Sequence, residues 1–232
     1  MPAALITGGS RGLGRALATE LAARKWQVII DGRDVAALEK AAAEMGPGVV
    51  TALPGDVDDP RHRTELIATV RELGGLDLLV NNASVLGPSP QPKLADYPLD
   101  VLDRVYKVNV LAPLALIQVV LPELRADGTI VNVTSDAGVE AYEGWGGYGS
   151  SKAALDQLSN ILGAEHPSFH VYAFDPGDMR TQMQQEAFPT EDISGRPEPE
   201  TAVPSLLRLV EERPPSGRYR ASDLLVSTRG AS

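Results

Sequence analysis

A doubly wound parallel α/β sheet of about seven strands, with helices on both faces, is the fold this sequence predicts. Three observations predict it. Short apolar runs alternate with stretches of helical spacing along most of the chain. Those runs are near-continuously apolar, the pattern of strands covered on both faces. The first of them leads directly into a glycine-rich turn and then a helix. With 232 residues, 43% of them hydrophobic, the chain can bury one large core, so residues 1–232 read as a single domain.

Ala3-Ala4-Leu5-Ile6-Thr7 ends at Gly8 and reads as the first strand; residues 12–24 follow with helical spacing. Gln27-Val28-Ile29-Ile30 is the second strand and residues 34–45 the second helix. Val49 to Leu53 forms a third strand, His62 to Leu73 a helix, and Leu76 to Val80 a fourth strand. Residues 99–124 read as one long helical region, and Thr129 to Val133 as the fifth strand. A helix over 147–163 and a sixth strand from His170 to Phe174 come next. Proline and polar residues gather in 176–200, read as a loop or lid over a site, and in 213–216, read as the connection to a short last strand near Gly217 to Ala221.

Net charge is −10 and the sequence pI is near 4.8, which argues against nucleic acid or an anionic membrane as partner. A local basic pocket for one phosphate group is compatible with that balance. The absence of cysteine excludes a disulfide, a thiolate nucleophile and a cysteine-ligated metal. His62, His166 and His170 show no ligand spacing with carboxylates, so no metal site is expected. No uninterrupted apolar run reaches the ~18 residues of a membrane span. Strand-like sequence begins at Ala3, so no signal peptide is expected and the cytoplasm is the expected setting.

Two local motifs carry chemistry. Thr7-Gly8-Gly9-Ser10-Arg11-Gly12-Leu13-Gly14 lies between the first strand and its helix. Glycines there permit a tight turn and close backbone approach, and the helix N-terminus offers unpaired N–H groups to a pyrophosphate. The second motif is Tyr148 and Lys152, four apart on a helix and so on one face. A free tyrosine titrates near 10, too high for proton transfer at neutral pH. A unit charge about 4 Å away at an effective dielectric near 20 is worth ~4 kcal/mol, or ~3 pK units, so the lysine would bring the phenol into range. Taken alone, such a pair most often marks only a solvated helix face.

Together the motifs closely resemble those of the short-chain dehydrogenase/reductase family, classical type. The resemblance rests on Thr-Gly-x-x-x-Gly-x-Gly at 7–14, Asn81-Asn82-Ala83, Asn109, Ser135, Tyr148-x-x-x-Lys152 and Pro176-Gly177-Asp178-Met179-Arg180-Thr181. These motifs keep the family's order, and Ser135 precedes Tyr148 by the usual thirteen residues. The family implies a Rossmann-type fold and a catalytic tetrad, which falls here on Asn109, Ser135, Tyr148 and Lys152. By the same resemblance, Tyr148 exchanges a proton with the substrate oxygen and Ser135 hydrogen-bonds that oxygen. Lys152 lowers the tyrosine pKa and binds the nicotinamide ribose, while Asn109 anchors a water linking Lys152 to solvent. Pro113 stands four residues after Asn109 and has no N–H, so the Asn109 carbonyl loses its helical partner and is free to hold that water.

The resemblance also implies the cofactor contacts: Thr7, Gly8, Ser10, Arg11, Gly12, Leu13 and Gly14 in the glycine turn, and Gly32 and Arg33 after the second strand. Asp56 and Val57 would flank the adenine. Asn82, Ala83, Tyr148, Lys152, Pro176, Gly177, Met179 and Thr181 complete the set. In Ile30-Asp31-Gly32-Arg33-Asp34, Gly32 aligns with the acid that selects NAD, and Arg33 with the arginine of NADP-preferring members. Arg11 is the second basic residue typical of those members, and two guanidiniums suit one phosphate. NADP(H) is therefore favoured. A one-residue shift would instead make Asp31 the NAD-selecting acid, which keeps NAD(H) open.

Some positions depart from the family. Ser84 replaces the usual glycine and would narrow the cofactor groove; Met179 replaces a valine; Arg218 to Asp223 lacks the common Asp-Gly-Gly ending. The apolar run Leu111 to Leu121 reads as a helix buried on several sides. Family likeness puts that helix at a subunit contact, so a homodimer or homotetramer is expected. Tyr142 and Trp145 are candidates to stack on an apolar or aromatic substrate. Asp136, Glu140 and Glu143 are expected in solvent. The function implied is NAD(P)-dependent hydride transfer on a small-molecule carbonyl or alcohol. Epimerase- or lyase-like use of the cofactor, and a cofactor-binding regulatory or scaffold protein on the same fold, are the alternatives.

Overall fold

Residues 3–6, 28–31 and 78–81 are buried at every position, which requires helices wound over both faces of the sheet, while the edge strand over 50–54 stays partly exposed. The computed structural model describes residues 1–46 and 48–226. Among them lie β1 (Ala3–Ile6), α1 (Gly12–Ala23), β2 (Gln27–Gly32), α2 (Val35–Met45), β3 (Val50–Pro54), α3 (Pro60–Glu72) and β4 (Leu76–Asn81). After these come α4 (Leu99–Tyr106), α5 (Ala112–Val120), β5 (Leu124–Val133), α6 (Gly146–Glu165), β6 (His170–Asp175), α7 (Gln182–Ala187), α8 (Val203–Glu212), β7 (Gly217–Arg220) and α9 (Ala221–Val226). The seven strands pair in the order β3-β2-β1-β4-β5-β6-β7, every pair parallel. The order reverses beside β1, which opens a crevice at the strand ends between β1 and β4, where such sheets bind ligands.

Two apolar cores flank the sheet. One joins α1 and α8 to the sheet through Leu17, Leu21, Leu206 and Leu209; the other joins α3 and α5 through Leu66, Val70, Leu116 and Val120. Asp34 and Asp59 cap α2 and α3 by accepting hydrogen bonds from Ala37 and Arg61.

The expected long helix over 99–124 is interrupted. Between α4 and α5, Lys107–Leu111 forms a π-turn in which the Ala112 N–H reaches back to the Lys107 carbonyl. Pro113 sits at the start of α5, where a proline is tolerated, and it leaves the Asn109 carbonyl without a donor four residues on. The stretch Leu99–Glu123 is long and apolar enough to cross a membrane, but its most apolar window is half buried within the fold, with α5 packed on α3 and β4. Two helices stand where the sequence pattern indicated no element: α8, masked by Pro204 at its start, and the short α9. The 176–200 segment is not a bare loop, since it contains α7, capped by Thr181.

Candidate active site

The glycine turn is fixed mainly by main-chain groups. Thr7 N–H donates to the Val80 carbonyl and Gly9 N–H to the Asp31 carbonyl, both across the sheet. The Thr7 hydroxyl accepts from the amides of Asn82 and Ala83, while Asn82 Nδ2 donates to the carbonyls of Thr7 and Gly8. Thr7 and Asn82 therefore tie the turn to the loop after β4. Gly14 lies so close that a Cβ would stand 2.5 Å from the Gly8 carbonyl oxygen and 2.6 Å from Asn82 Nδ2. Gly8, at φ +67°, adopts a conformation that L side chains avoid. No side chain caps α1 and no acid sits in its first turn, so its first N–H groups face the crevice. That combination, a cradle closed to any Cβ beside an uncapped helix start, fits a pyrophosphate.

Asp31 lies along the groove, but its carboxylate is buried and already engaged. Its side chain is 2% exposed; Oδ1 accepts from the Gly8 N–H at 2.7 Å and Oδ2 pairs with His62 Nε2 at 3.2 Å. Burial works against the imidazolium, but the hydrogen bond and charge of Asp31 outweigh it and hold the His62 pKa above its usual value. Arg33, two residues on, is exposed at the groove. Arg11 also lies at the mouth, where its guanidinium donates to Gln182 of α7. Asp56 is bound by Arg104 at 2.5 Å and accepts from the Asp58 amide. Burial would raise its pKa, yet those bonds hold it below the usual carboxylate value.

At the far end of the crevice, α6 presents Tyr148 and Lys152, both buried. Lys152 Nζ donates to the Val133 carbonyl at 2.8 Å and lies 5.4 Å from the centre of the Tyr148 ring. Burial lowers the Lys152 pKa to about 8, with the nearby Asp156 opposing it. The expected depression of the Tyr148 pKa is not found. Burial dominates and pushes the phenol up, aided by the charges of Asp175 and Asp136, while hydrogen bonding to Ser84 and Ser135 pulls the other way. The lysine is held by a carbonyl beside the ring, not against the phenol oxygen.

Ser135 lies within reach of the Tyr148 phenol and donates to Asp136 Oδ1 at 2.9 Å. The Asn109 side chain is fully committed: Oδ1 accepts from Ser84 Oγ and the Val85 amide, and Nδ2 donates to the Val85 carbonyl and Ser151 Oγ. Ser84 thus joins Asn109 to the phenol instead of merely narrowing the groove, a role that its identity alone did not announce. Asp136 is not simply solvated, since it also accepts from Tyr142 and the Ala137 amide. Glu140 pairs with Arg220 and Glu143 with Lys93.

A cleft of about 1590 Å³ joins these groups. All the residues expected at the cofactor line it or tie its walls: Gly8, Ser10, Arg11, Gly12, Leu13, Gly32, Arg33, Asp56, Val57, Asn82, Ala83, Pro176, Gly177, Met179 and Thr181 line it. Thr7 and Gly14 lie directly behind its surface, in the turn itself. Drug-sized pockets run to roughly 1,000 Å³, so this volume accommodates a dinucleotide with a second molecule. Over Tyr148 stands an apolar wall. The Trp145 ring meets Tyr148 edge-on at 5.8 Å and Phe188 at 5.7 Å, with Leu86 and Met183 in the same cluster. Tyr142 touches Trp145 from the exposed rim.

A parallel sheet with its glycine turn at the switch point, and a buried Tyr–Lys pair at the other end of the same cleft, define a dinucleotide-binding oxidoreductase. The short chain dehydrogenase profile matches residues 2–192, and the chain belongs to that family, whose members bind a nicotinamide cofactor. It is 33% identical over 192 residues to a benzil reductase ((S)-benzoin forming) of Saccharomyces cerevisiae, covering 78% of this chain and 73% of that one. It is 33% identical over 199 residues to the sepiapterin reductase of Mus musculus, covering 79% and 76%. A short chain dehydrogenase structure from Shigella flexneri, complexed with NADP, superposes with a TM-score of 0.88 at 28% identity, over 95% of this chain and 97% of that one.

Proposed function

We propose that the chain is an NADP-preferring carbonyl reductase or alcohol dehydrogenase that uses Tyr148 as its proton donor and acceptor and takes apolar, aromatic-bearing substrates. The observation that carries this reading is a single cleft with the glycine cradle at one end and buried Tyr148 and Lys152 at the other, beside Trp145, Leu86 and Met183. Thr7 to Gly14 would take the pyrophosphate, and Asp56 and Val57 would flank the adenine. Asn82, Ala83, Pro176, Gly177, Met179 and Thr181 would line the remainder. When bound, the cofactor supplies or accepts a hydride at the substrate carbon. Tyr148 gives the proton to the carbonyl oxygen during reduction, and burial keeps the phenol in the protonated form that this step needs. Ser135 turns its hydroxyl from Asp136 to that oxygen and steadies the developing charge. Lys152 would hold the ribose and exchange protons with solvent through a water held by the Asn109 carbonyl, which Pro113 leaves without its helical donor.

NADP preference is supported by Asp31, which is committed to Gly8 and His62, and by Arg33 and Arg11 at the groove mouth. Arg11, now bound to Gln182, would turn to the phosphate when the cofactor binds. The Shigella structure carries NADP in the same fold. Exposed Leu111 at the end of the π-turn, Val119 on α5 and Ile161 on α6 support a contact with a second copy of the chain.

The test is consumption of NADPH against a panel of aryl ketones, diketones and aliphatic carbonyls. Tyr148→Phe should lose about 10²- to 10⁴-fold in kcat. NADPH binding with no turnover on any carbonyl or alcohol would return the chain to the scaffold reading. Arg33→Ala should raise the Michaelis constant for NADPH far more than for NADH, and equal effects would defeat the cofactor assignment.

A further inference from the structure

Arg218 lies in β7, in the part of the chain that departs from the family's usual ending, and its side chain is only 20% exposed. Its guanidinium reaches three separate segments. Nε donates to Asp156 Oδ2 on α6 at 3.1 Å, and Nη2 donates to Asp175 Oδ2 at the end of β6 at 2.9 Å. Nη2 also donates to the main-chain carbonyl of Ser135 at 3.1 Å. Ser135 and Asp175 line the cleft, and Asp156 stands behind it. Ser135 is the proposed oxygen clamp. Asp175 uses its other oxygen to accept from Gly177 N–H at 3.0 Å, which sets the Pro176-Gly177 corner. Asp156 stands one helical turn beyond Lys152 on the same face of α6, and the two charges act on each other.

We propose that Arg218 is a positioning residue, one guanidinium that seats Ser135 and the Pro176-Gly177 corner together and balances the charge around Lys152. The proposal rests on the oxidoreductase reading for its catalytic consequence, though not for its electrostatics. Around this point α6 contributes Lys152, Asp156 and the Tyr148 phenol, β6 contributes Asp175, and the loop after β5 contributes Asp136. Arg220, also on β7, approaches Asp175 at 3.7 Å but is turned toward Glu140. Thr134 lies close enough to act on Asp156, short of a well-formed hydrogen bond. Two cations, Arg218 and Lys152, thus face two buried carboxylates, Asp156 and Asp175. Removing Arg218 leaves both carboxylates facing Lys152 and Tyr148, which makes loss of a proton from either harder.

Lys152 can be watched without turnover. The chain has five lysines, Lys25, Lys40, Lys93, Lys107 and Lys152, so lysine labelled with ¹³C at Cε gives a sparse NMR spectrum, assigned by Lys152→Met. In Arg218→Leu the Lys152 midpoint should rise by about one pH unit. Arg218→Lys, which keeps the charge, should stay near wild type, and Asp156→Asn added to Arg218→Leu should bring the midpoint back down. If Arg218→Leu does not fold, Asp156→Asn alone should lower the midpoint. A midpoint that stays or falls in Arg218→Leu, or that stays or rises in Asp156→Asn, overturns the proposal. If the enzyme turns over, the alkaline limb of kcat/KM for reduction should move with the NMR midpoint, which a merely structural arginine would not cause. Absence of turnover would defeat the oxidoreductase reading and leave the NMR result standing.

Discussion

At the cradle end of the cleft the turn is held by main-chain groups: Thr7 and Gly9 amides bound to strand carbonyls, Asn82 bound to the Thr7 and Gly8 carbonyls, and glycines where no Cβ fits. At the chemical end the parts are held by side chains from distant points of the chain. Lys152 is bound to the Val133 carbonyl, and Arg218 to Asp156, Asp175 and Ser135. The first kind of construction depends on shape and tolerates little change of volume. The second depends on charge, in a place where solvent cannot screen it. The two ends should therefore fail differently when altered, one through packing and the other through pH.

The largest effect is expected at the charged end. Lys152→Ala should lower kcat by about 10²- to 10⁴-fold and also raise the Michaelis constant for NADPH. A loss of only one of the two would separate roles joined here. In the wild type, reduction should weaken as pH rises through about 8, where Lys152 loses its charge. Stability should run the other way. The folded value lies below the ordinary 10.5, so between about 8 and 10.5 the unfolded chain binds more protons and Lys152 makes stability climb with pH. Denaturation curves across that window should show the climb in wild type and its loss in Lys152→Ala.

The packed end should respond less in rate and more in stability. Gly14→Ala puts a methyl group against the Gly8 carbonyl and Asn82 Nδ2, so backbone must move. A destabilisation of about 1–3 kcal/mol is expected, with weakened NADPH binding and an unmoved pH profile. A shifted profile, read from initial rates across pH, would mean that the two ends are not independent.

This contrast also explains what the sequence disclosed. Shape requirements leave a local mark, so Gly8, Gly12 and Gly14 announced a cradle from spacing, and Pro113 marked the lost helical partner of Asn109, though not the π-turn that divides the expected single helix. The parallel sheet followed from near-continuous apolar runs; its order, β3-β2-β1-β4-β5-β6-β7, did not, because it is set by which strands meet across the chain. Long-range charge pairing leaves no local mark: Asp156 and Arg218 are 62 positions apart and become partners only when α6 and β7 pack. Ser84 was visible as a departure, but its hydrogen bond to Asn109 depends on where the π-turn puts that side chain. The same limit raised the Tyr148 expectation, which assumed the ammonium against the phenol oxygen, whereas Lys152 is bound to Val133 and burial dominates.

Asp31 tests the boundary between the two kinds of construction, because here a charged pair holds the shape-dependent end. It is 31 residues from His62 and supports the glycine turn from beneath through Gly8. His62→Leu removes the partner of a buried carboxylate oxygen, and a loss of about 1.5–3 kcal/mol is expected in mildly acidic solution. The wild-type His62 pKa is raised by Asp31 against the opposing effect of burial. Its charged contribution is therefore complete below about 6.5, the unfolded value, and is lost as pH rises through the higher folded value. The stability gap between wild type and His62→Leu should narrow with rising pH, without closing, since neutral imidazole still donates through Nε2. Denaturant midpoints on both proteins across this range decide it. A gap independent of pH would make the pair a packing contact like the rest of the cradle. A reversal of NADPH preference in the variant would mean that His62 is what keeps Asp31 away from the ribose.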